Sequence, residues 1–329
     1  MHSLTLLIII IVVALLYDFF NGFNDAANAI ATTVSTKALS PRNAILMAQI
    51  LNFFGALSNT AVAVTVGKGV INPGMIDLVV ILAALIGATI WTATASFLGI
   101  PISVTHALVG GLLGAGIIFA GVKVIVINGI IKIVLAMLIS PIVGFLGGYL
   151  MFILIAWIFR RSNPAKINKN SKRLQIISAA WMSFSHGMND AQNAMGIITL
   201  ALVSYGALAV FKVPLWVMIA AGLAMGLGTA LGGWKVIKTM GQKVFKLKPV
   251  HGFTAETSAA GVISLMSFMG APISTTHVIS SAIMGVGSTQ RLSAVRWGIA
   301  RNIVITWIIT IPAAALIAGL VMFFIKVVF

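Results

Sequence analysis

A nine-residue polar string occurs twice inside otherwise apolar sequence. Asn21-Gly-Phe-Asn24-Asp25-Ala-Ala-Asn28-Ala29 returns as His186-Gly-Met-Asn189-Asp190-Ala-Gln-Asn193-Ala194, 165 positions further on. A second pair, Gly99-Ile-Pro101-Ile-Ser103-Val-Thr105-His106 and Gly270-Ala-Pro272-Ile-Ser274-Thr275-Thr276-His277, repeats at an offset of 171. The chain therefore reads as two homologous halves, 1–159 and 174–329, joined by a basic linker at 160–173.

Those polar elements lie in a chain with 60% hydrophobic and 8% charged residues, a composition that a soluble domain of 329 residues does not have. Apolar runs at 4–16, 44–66, 76–98, 124–159, 174–182, 194–211, 214–234 and 295–328 suffice, alone or joined to neighbours, to cross a hydrocarbon core of about 30 Å. An outer-membrane barrel would show short alternating segments instead, so the expected fold is an all-α polytopic membrane protein of the cell (inner or plasma) membrane. Cysteine is absent, which removes disulfides and thiolate chemistry. Met1-His2-Ser3 carries no Lys or Arg before the first apolar run, which argues against a cleaved leader and places the N-terminus outside.

The net charge of +16 does not point to nucleic acid, because the basic residues sit where the positive-inside rule places them. Arg160, Arg161, Lys166, Lys169, Lys172 and Arg173 fill the linker, and Lys235, Lys238, Lys243, Lys246 and Lys248 form a second block. Both are assigned to the cytoplasm. With an odd number of crossings per half, Lys37, Arg42, Arg291 and Arg296 also fall inside, both termini fall outside, and the halves have inverted topology.

Odd crossings follow if the Pro-Ile-Ser segments are re-entrant hairpins, since the pieces after them, 105–119 and 276–287, are short for a full crossing. Short tilted helices with a Gly-Pro turn are the alternative. Segment 4–36 would make roughly 50 Å of helix, more than the bilayer needs, so a break is expected in it, with Gly22 as the interruption point. Inverted repeats with interrupted helices, and hairpins meeting near the midplane, point to a secondary transporter.

Asn21, Asn24, Asp25 and Asn28 stand at i, i+3, i+4 and i+7, one helix face, and His186, Asn189, Asp190 and Asn193 repeat the spacing. Amide and carboxylate oxygens are hard ligands suited to Na⁺. Interhelical hydrogen bonding would explain one Asn, but two acids inside a duplicated membrane motif point to function. Ser103 and Thr105, and Ser274, Thr275 and Thr276, precede apolar helical runs and can present helix N-termini to an oxyanion from two sides; capping their own helices is the plainer reading. His106 and His277 are assigned hairpin bracing, because Ser-x-x-His spacing alone is weak evidence for a hydrolase. Glu256 has Leu85 as its repeat partner and breaks the symmetry. It is a candidate, with Asn21, for a further cation or for gating; pairing with the lysines at 243–248 is the alternative.

The two Asn-Asp-Ala-x-Asn-Ala strings and the two Pro-Ile-Ser-x-Thr-His tips resemble the inorganic phosphate transporter (PiT) family over nearly the whole chain. The resemblance implies symport of inorganic phosphate with Na⁺ or H⁺ by alternating access. Carried over by position, it implies Asp25, Asn28, Asp190 and Asn193 as Na⁺ ligands. It further implies Ser103, Thr105, Ser274, Thr275 and Thr276 as phosphate ligands, with Asn24 and Asn189 serving either shell. No cofactor beyond the coupling ion is implied, the partners are phosphate, the cation and the lipid bilayer, and a homodimer is compatible with the sequence. Na⁺ is favoured because the stripes are rich in neutral amide oxygens. A proton-coupled phosphate or sulfate permease, a passive anion channel and a membrane-embedded enzyme are the other readings.

Overall fold

A computed structural model describes residues 3–328, apart from the side chains at 164–166. Met1, His2 and the Lys166 side chain, used above for topology, lie outside the described residues. Twelve helices account for the fold: α1 (Leu4–Ser35), α2 (Pro41–Ala56), α3 (Ala61–Gly69), α4 (Leu78–Leu98), α5 (Val104–Ala120), α6 (Ile127–Ile158), α7 (Pro164–Tyr205), α8 (Leu215–Leu231), α9 (Trp234–Lys238), α10 (Pro249–Phe268), α11 (Thr275–Ser288) and α12 (Trp297–Val328). The linker is largely helical, since α7 already begins at Pro164.

The helices α1, α4, α6 and α12 are each long and apolar enough to cross a membrane. The pairs α2–α3 and α8–α9 reach that length only together and bend by 72° and 64°. On α6, Leu138, Ile142 and Leu150 are 56%, 58% and 60% exposed, an apolar outer surface of the kind that membrane-spanning helices present.

Interrupted helices are thus present, but the break expected at Gly22 is not: α1 runs unbroken from Leu4 to Ser35. Gly22 serves close packing instead. A Cβ there would lie 2.1 Å from the Met225 carbonyl oxygen of α8, and one on Gly187, its repeat partner, 2.1 Å from the Asn52 carbonyl oxygen of α2. Absence of a side chain lets α1 and α7 lie directly on the other half's bent helix, as small residues do between membrane helices.

The two Pro-Ile-Ser segments form hairpins, α4–α5 and α10–α11. Gly99 turns the first with φ 77° and Gly270 the second with φ 68°, a left-handed conformation that glycine adopts without cost. Both tips are latched by the bent helices. The Thr65 hydroxyl on α3 donates to the Gly270 carbonyl (2.7 Å), and that of Thr239, just beyond α9, donates to Gly99 (3.1 Å).

Each hairpin is clasped by the last helix of the other half. Gly110 and Gly114 of α5 rest on the Ile311 and Ala315 carbonyls of α12, while Gly144 and Gly148 of α6 rest on the Val278 and Ala282 carbonyls of α11. The hairpins enter from opposite ends of α12, a helix about 48 Å long by its 32 residues. Near its start, the Arg296 N–H donates to Val244 beside the second hairpin's foot; near its end, Lys326 Nζ donates to Ile118 and Phe119 at the first hairpin's foot.

Gly22→Ala and Gly187→Ala are each expected to cost a few kcal/mol by forcing backbone apart, seen as a lowered thermal midpoint of the purified protein. Gly298→Ala, with open space around the new methyl, serves as the control and should leave the midpoint unchanged.

Candidate functional site

The two polar strings face one another from α1 and α7. Asn21, Asn24, Asp25 and Asn28, and His186, Asn189, Asp190 and Asn193, are all buried, at 2% exposure or less. Each string is tied twice. The Asn that precedes its Asp bonds the hairpin of its own half: the Asn24 amide donates to the Ser96 hydroxyl at 2.9 Å, and the Asn189 side-chain oxygen accepts from the Ser267 hydroxyl at 2.8 Å while its amide donates to Asp190 Oδ1 at 3.1 Å. Its last Asn crosses to the other half. Asn28 donates to Thr275 (3.2 Å) and Thr276 (2.9 Å), and Asn193 donates to Thr105 (2.9 Å).

The carboxylates meet the second hairpin directly. The Thr276 hydroxyl donates to Asp25 Oδ1 at 3.1 Å and that of Thr275 to Asp190 Oδ2 at 2.7 Å. His186 Nε2 lies 3.2 Å from Asp190 Oδ2 and 4.0 Å from Asp25 Oδ2. One ligand atom from each of these three residues falls within 4.8 Å of the others, a spacing that suits a single cation. The buried amide oxygens of Asn21, Asn24, Asn28 and Asn193 have no hydrogen-bond partner among the described residues. They offer further hard oxygen ligands.

The N-termini of α5 and α11 meet at the site. Ser103 Oγ accepts the His106 N–H (3.3 Å) and Ser274 Oγ the His277 N–H (3.2 Å), so both serines are N-caps. A capping serine keeps its own O–H to donate, next to the positive end of the helix dipole. The His106 and His277 rings pack edge to face 5.0 Å apart, and Trp307 lies 4.0 Å from the His277 ring. The two hairpin tips thus touch through these rings.

Across residues 21–318 the chain matches the model of the phosphate transporter family. The chain belongs to that family. It is 46% identical to "Probable low-affinity inorganic phosphate transporter" of Bacillus subtilis (strain 168), over 99% of both chains. It is 47% identical to the protein of the same name from Rhizobium meliloti (strain 1021), over 97% of this chain and 96% of the relative. Among solved structures, "The sodium-dependent phosphate transporter" superposes with a TM-score of 0.93 at 29% identity, covering 99% of this chain and 100% of the other. Membership of a family of transporters sets aside the hydrolase reading of Ser103 and His106.

Within this phosphate transporter, Glu256 stands apart from the central cluster and is fully buried, so it does not pair with the lysines at 243–248. Its carboxylate accepts from the hydroxyls of Thr32, Thr33 (2.7 Å) and Ser178 (2.5 Å) and from the Gln175 amide (3.1 Å). Thr32 is one turn beyond Asn28 on α1, which puts this group on the same helix as the central site.

Several residues around the site escaped the sequence reading. Ser96 and Ser267 share the 171 offset, so the repeat itself carried that signal. His186 was read only as a member of its string, yet it replaces Asn21 at the equivalent position and stands between the carboxylates. Asn52 positions it: its amide donates to Thr229 (3.0 Å), which leaves its oxygen for His186 Nδ1 (3.1 Å) and turns Nε2 toward the acids. Nothing in the string announces Asn52.

Glu256→Leu leaves four buried donors without their acceptor and is expected to cost about 2 kcal/mol, read as a fall in the thermal midpoint. An unchanged midpoint would contradict the description of Glu256 as the hub of that group.

Proposed function

We propose that the protein is a cation-coupled symporter of inorganic phosphate, with Na⁺ as the favoured coupling ion, working by alternating access. In this reading 1–159 and 174–329 are inverted repeats around a midplane site, the termini lie outside, and the linker 160–173 is cytoplasmic. Asp25, Asn28, Asp190 and Asn193 hold cations. Ser103, Thr105, Ser274, Thr275 and Thr276 hold phosphate, Asn24 and Asn189 serve either shell, and Asn21 and Glu256 take a further cation or act in gating.

The observation that carries the proposal is the contact of Thr275 and Thr276 with the two aspartates, which puts the anion-binding hydroxyls and the cation-binding oxygens in one shell. Phosphate entering beside two carboxylates meets repulsion of about 4 kcal/mol for each close charge pair at an effective dielectric near 20. Bound cations remove it, so each solute favours the other's occupancy, which is reciprocal coupling. Preference for Na⁺ draws on the unpartnered amide oxygens and on the sodium-dependent neighbour.

The test is radiolabelled phosphate uptake into sealed proteoliposomes under an imposed Na⁺ gradient and, separately, a proton gradient, with excess sulfate as competitor. Na⁺-driven accumulation insensitive to sulfate is expected. Proton-driven accumulation alone would replace the coupling ion, sulfate competition would widen the substrate, and accumulation under neither gradient would sink the symport reading. Asp25→Asn and Asp190→Asn should each abolish driven uptake while the protein still inserts. Ser103→Ala and Ser274→Ala should each raise the KM for phosphate about tenfold, the worth of one hydrogen bond to an anion.

A further inference from the structure

At the foot of the second hairpin, two loops far apart in sequence enclose a cavity of ≈ 590 Å³ lined by Lys246, Lys248, Arg291 and Arg296, with Gln290 and Ser293. The loops are fastened together. The Arg296 N–H donates to the Val244 carbonyl (3.0 Å) and Gln290 Nε2 meets His251 Nε2 at 2.8 Å, while within the second loop Trp297 Nε1 donates to the Leu292 carbonyl (2.7 Å). Four exposed basic residues thus line one cleft.

No carboxylate lines the cavity. The chain has five acids: Asp18, Asp25, Asp190 and Glu256 are buried inside, and Asp77 precedes α4 at the foot of the other hairpin. A positive-inside bias explains why these loops are basic, but not why their cations face a common space. The linker gives the contrast. A cavity of ≈ 490 Å³ beside it is lined, among the described residues, by Ser162, Asn163, Asn170, Ser171 and apolar side chains.

We infer that the cleft formed by Lys246, Lys248, Arg291 and Arg296 is a second anion site, distinct from the transport site, that binds a phosphate-bearing group. Guanidinium pairs match phosphate oxygens in bidentate geometry, and ammonium groups add point charge. Two sources supply that chemistry. One is the headgroup of an anionic phospholipid, which basic pockets at the cytoplasmic surface bind. Leu292, 68% exposed, and Trp297, 46% exposed, flank the cleft as apolar surface for its chains. The other is free inorganic phosphate. In either case the occupant offsets the mutual repulsion of four cations at the foot of the α10–α11 hairpin, whose tip carries Ser274, Thr275 and Thr276.

Equilibrium titration of the purified full-length protein, at constant ionic strength, tests this with two probes: a short-chain phosphatidylglycerol and inorganic phosphate. R291Q/R296Q and K246Q/K248Q are compared with the unmodified chain, so that one pair still reports where the other fails to fold. Loss of at least tenfold in affinity for either probe, retained in D25N/D190N, is expected. A loss confined to phosphatidylglycerol assigns the site to a lipid headgroup, and a loss that includes phosphate assigns it to the soluble anion. Unchanged affinity for both probes in both double variants overturns the site, whatever the uptake experiments show of the transport site.

Discussion

Two carboxylates held out of water have to be met by donors or cations, and the rest of the architecture follows from how Asp25 and Asp190 are met. An ionisable side chain inside a membrane is costly unless it is paired. Here the hydroxyls that meet the pair come from an element distant in sequence, Thr275 and Thr276 on the second hairpin, while His186 meets Asp190 from one turn away on α7 and Asp25 from across the site. Their approach requires hairpin tips that stop inside the protein, bent helices that latch those tips, and glycines that let α1 and α7 lie on their neighbours' backbone. Removing any one of these moves a donor, not merely a piece of core.

Much of this was legible because duplication makes chemistry visible. A single Asn-Asp-Ala-x-Asn string reads as interhelical hydrogen bonding, whereas two copies, with two Pro-Ile-Ser tips, announce a pseudo-symmetric site. The sequence also indicated the hairpins, since 14 to 17 residues are too few to cross with ease. Three things were not legible, each for a physical reason. Gly22 has the same local signature whether it breaks a helix or seats one, and only the position of Met225 decides between them. Glu256 was open between a further cation or gating role and a lysine pair, and its actual donors, Thr32, Thr33, Gln175 and Ser178, lie 78 to 224 residues away. Asn52 acts on the site through His186 and carries no motif of its own.

The symmetry is also broken where it matters to chemistry. Thr275 has Val104 as its equivalent, so only the second hairpin offers a pair of hydroxyls to the aspartates, and Asn21 is matched by His186. Duplication supplies the scaffold twice, and each of these differences gives one half a chemical group that the other lacks. A perfectly two-fold site would present the same groups twice; this one does not.

The clasping of each hairpin by the other half's last helix has a mechanical consequence. Gly110-x-x-x-Gly114 on α5 and Gly144-x-x-x-Gly148 on α6 are the small-residue pattern that brings membrane helices into backbone contact. In the first half the glycine pair sits on the hairpin, and in the second on the clasping helix, so equivalent interfaces are built from opposite sides. Neither half can therefore form its hairpin packing alone, because α5 is completed by α12 and α11 by α6. A displacement of one hairpin strains a helix that belongs to the other half, and both hairpins end on the polar strings of α1 and α7, the first through Thr105 on Asn193 and the second through Thr275 and Thr276 on the aspartates. The interlock of the halves and the shared shell of the site are thus two ends of one mechanical path through the helices.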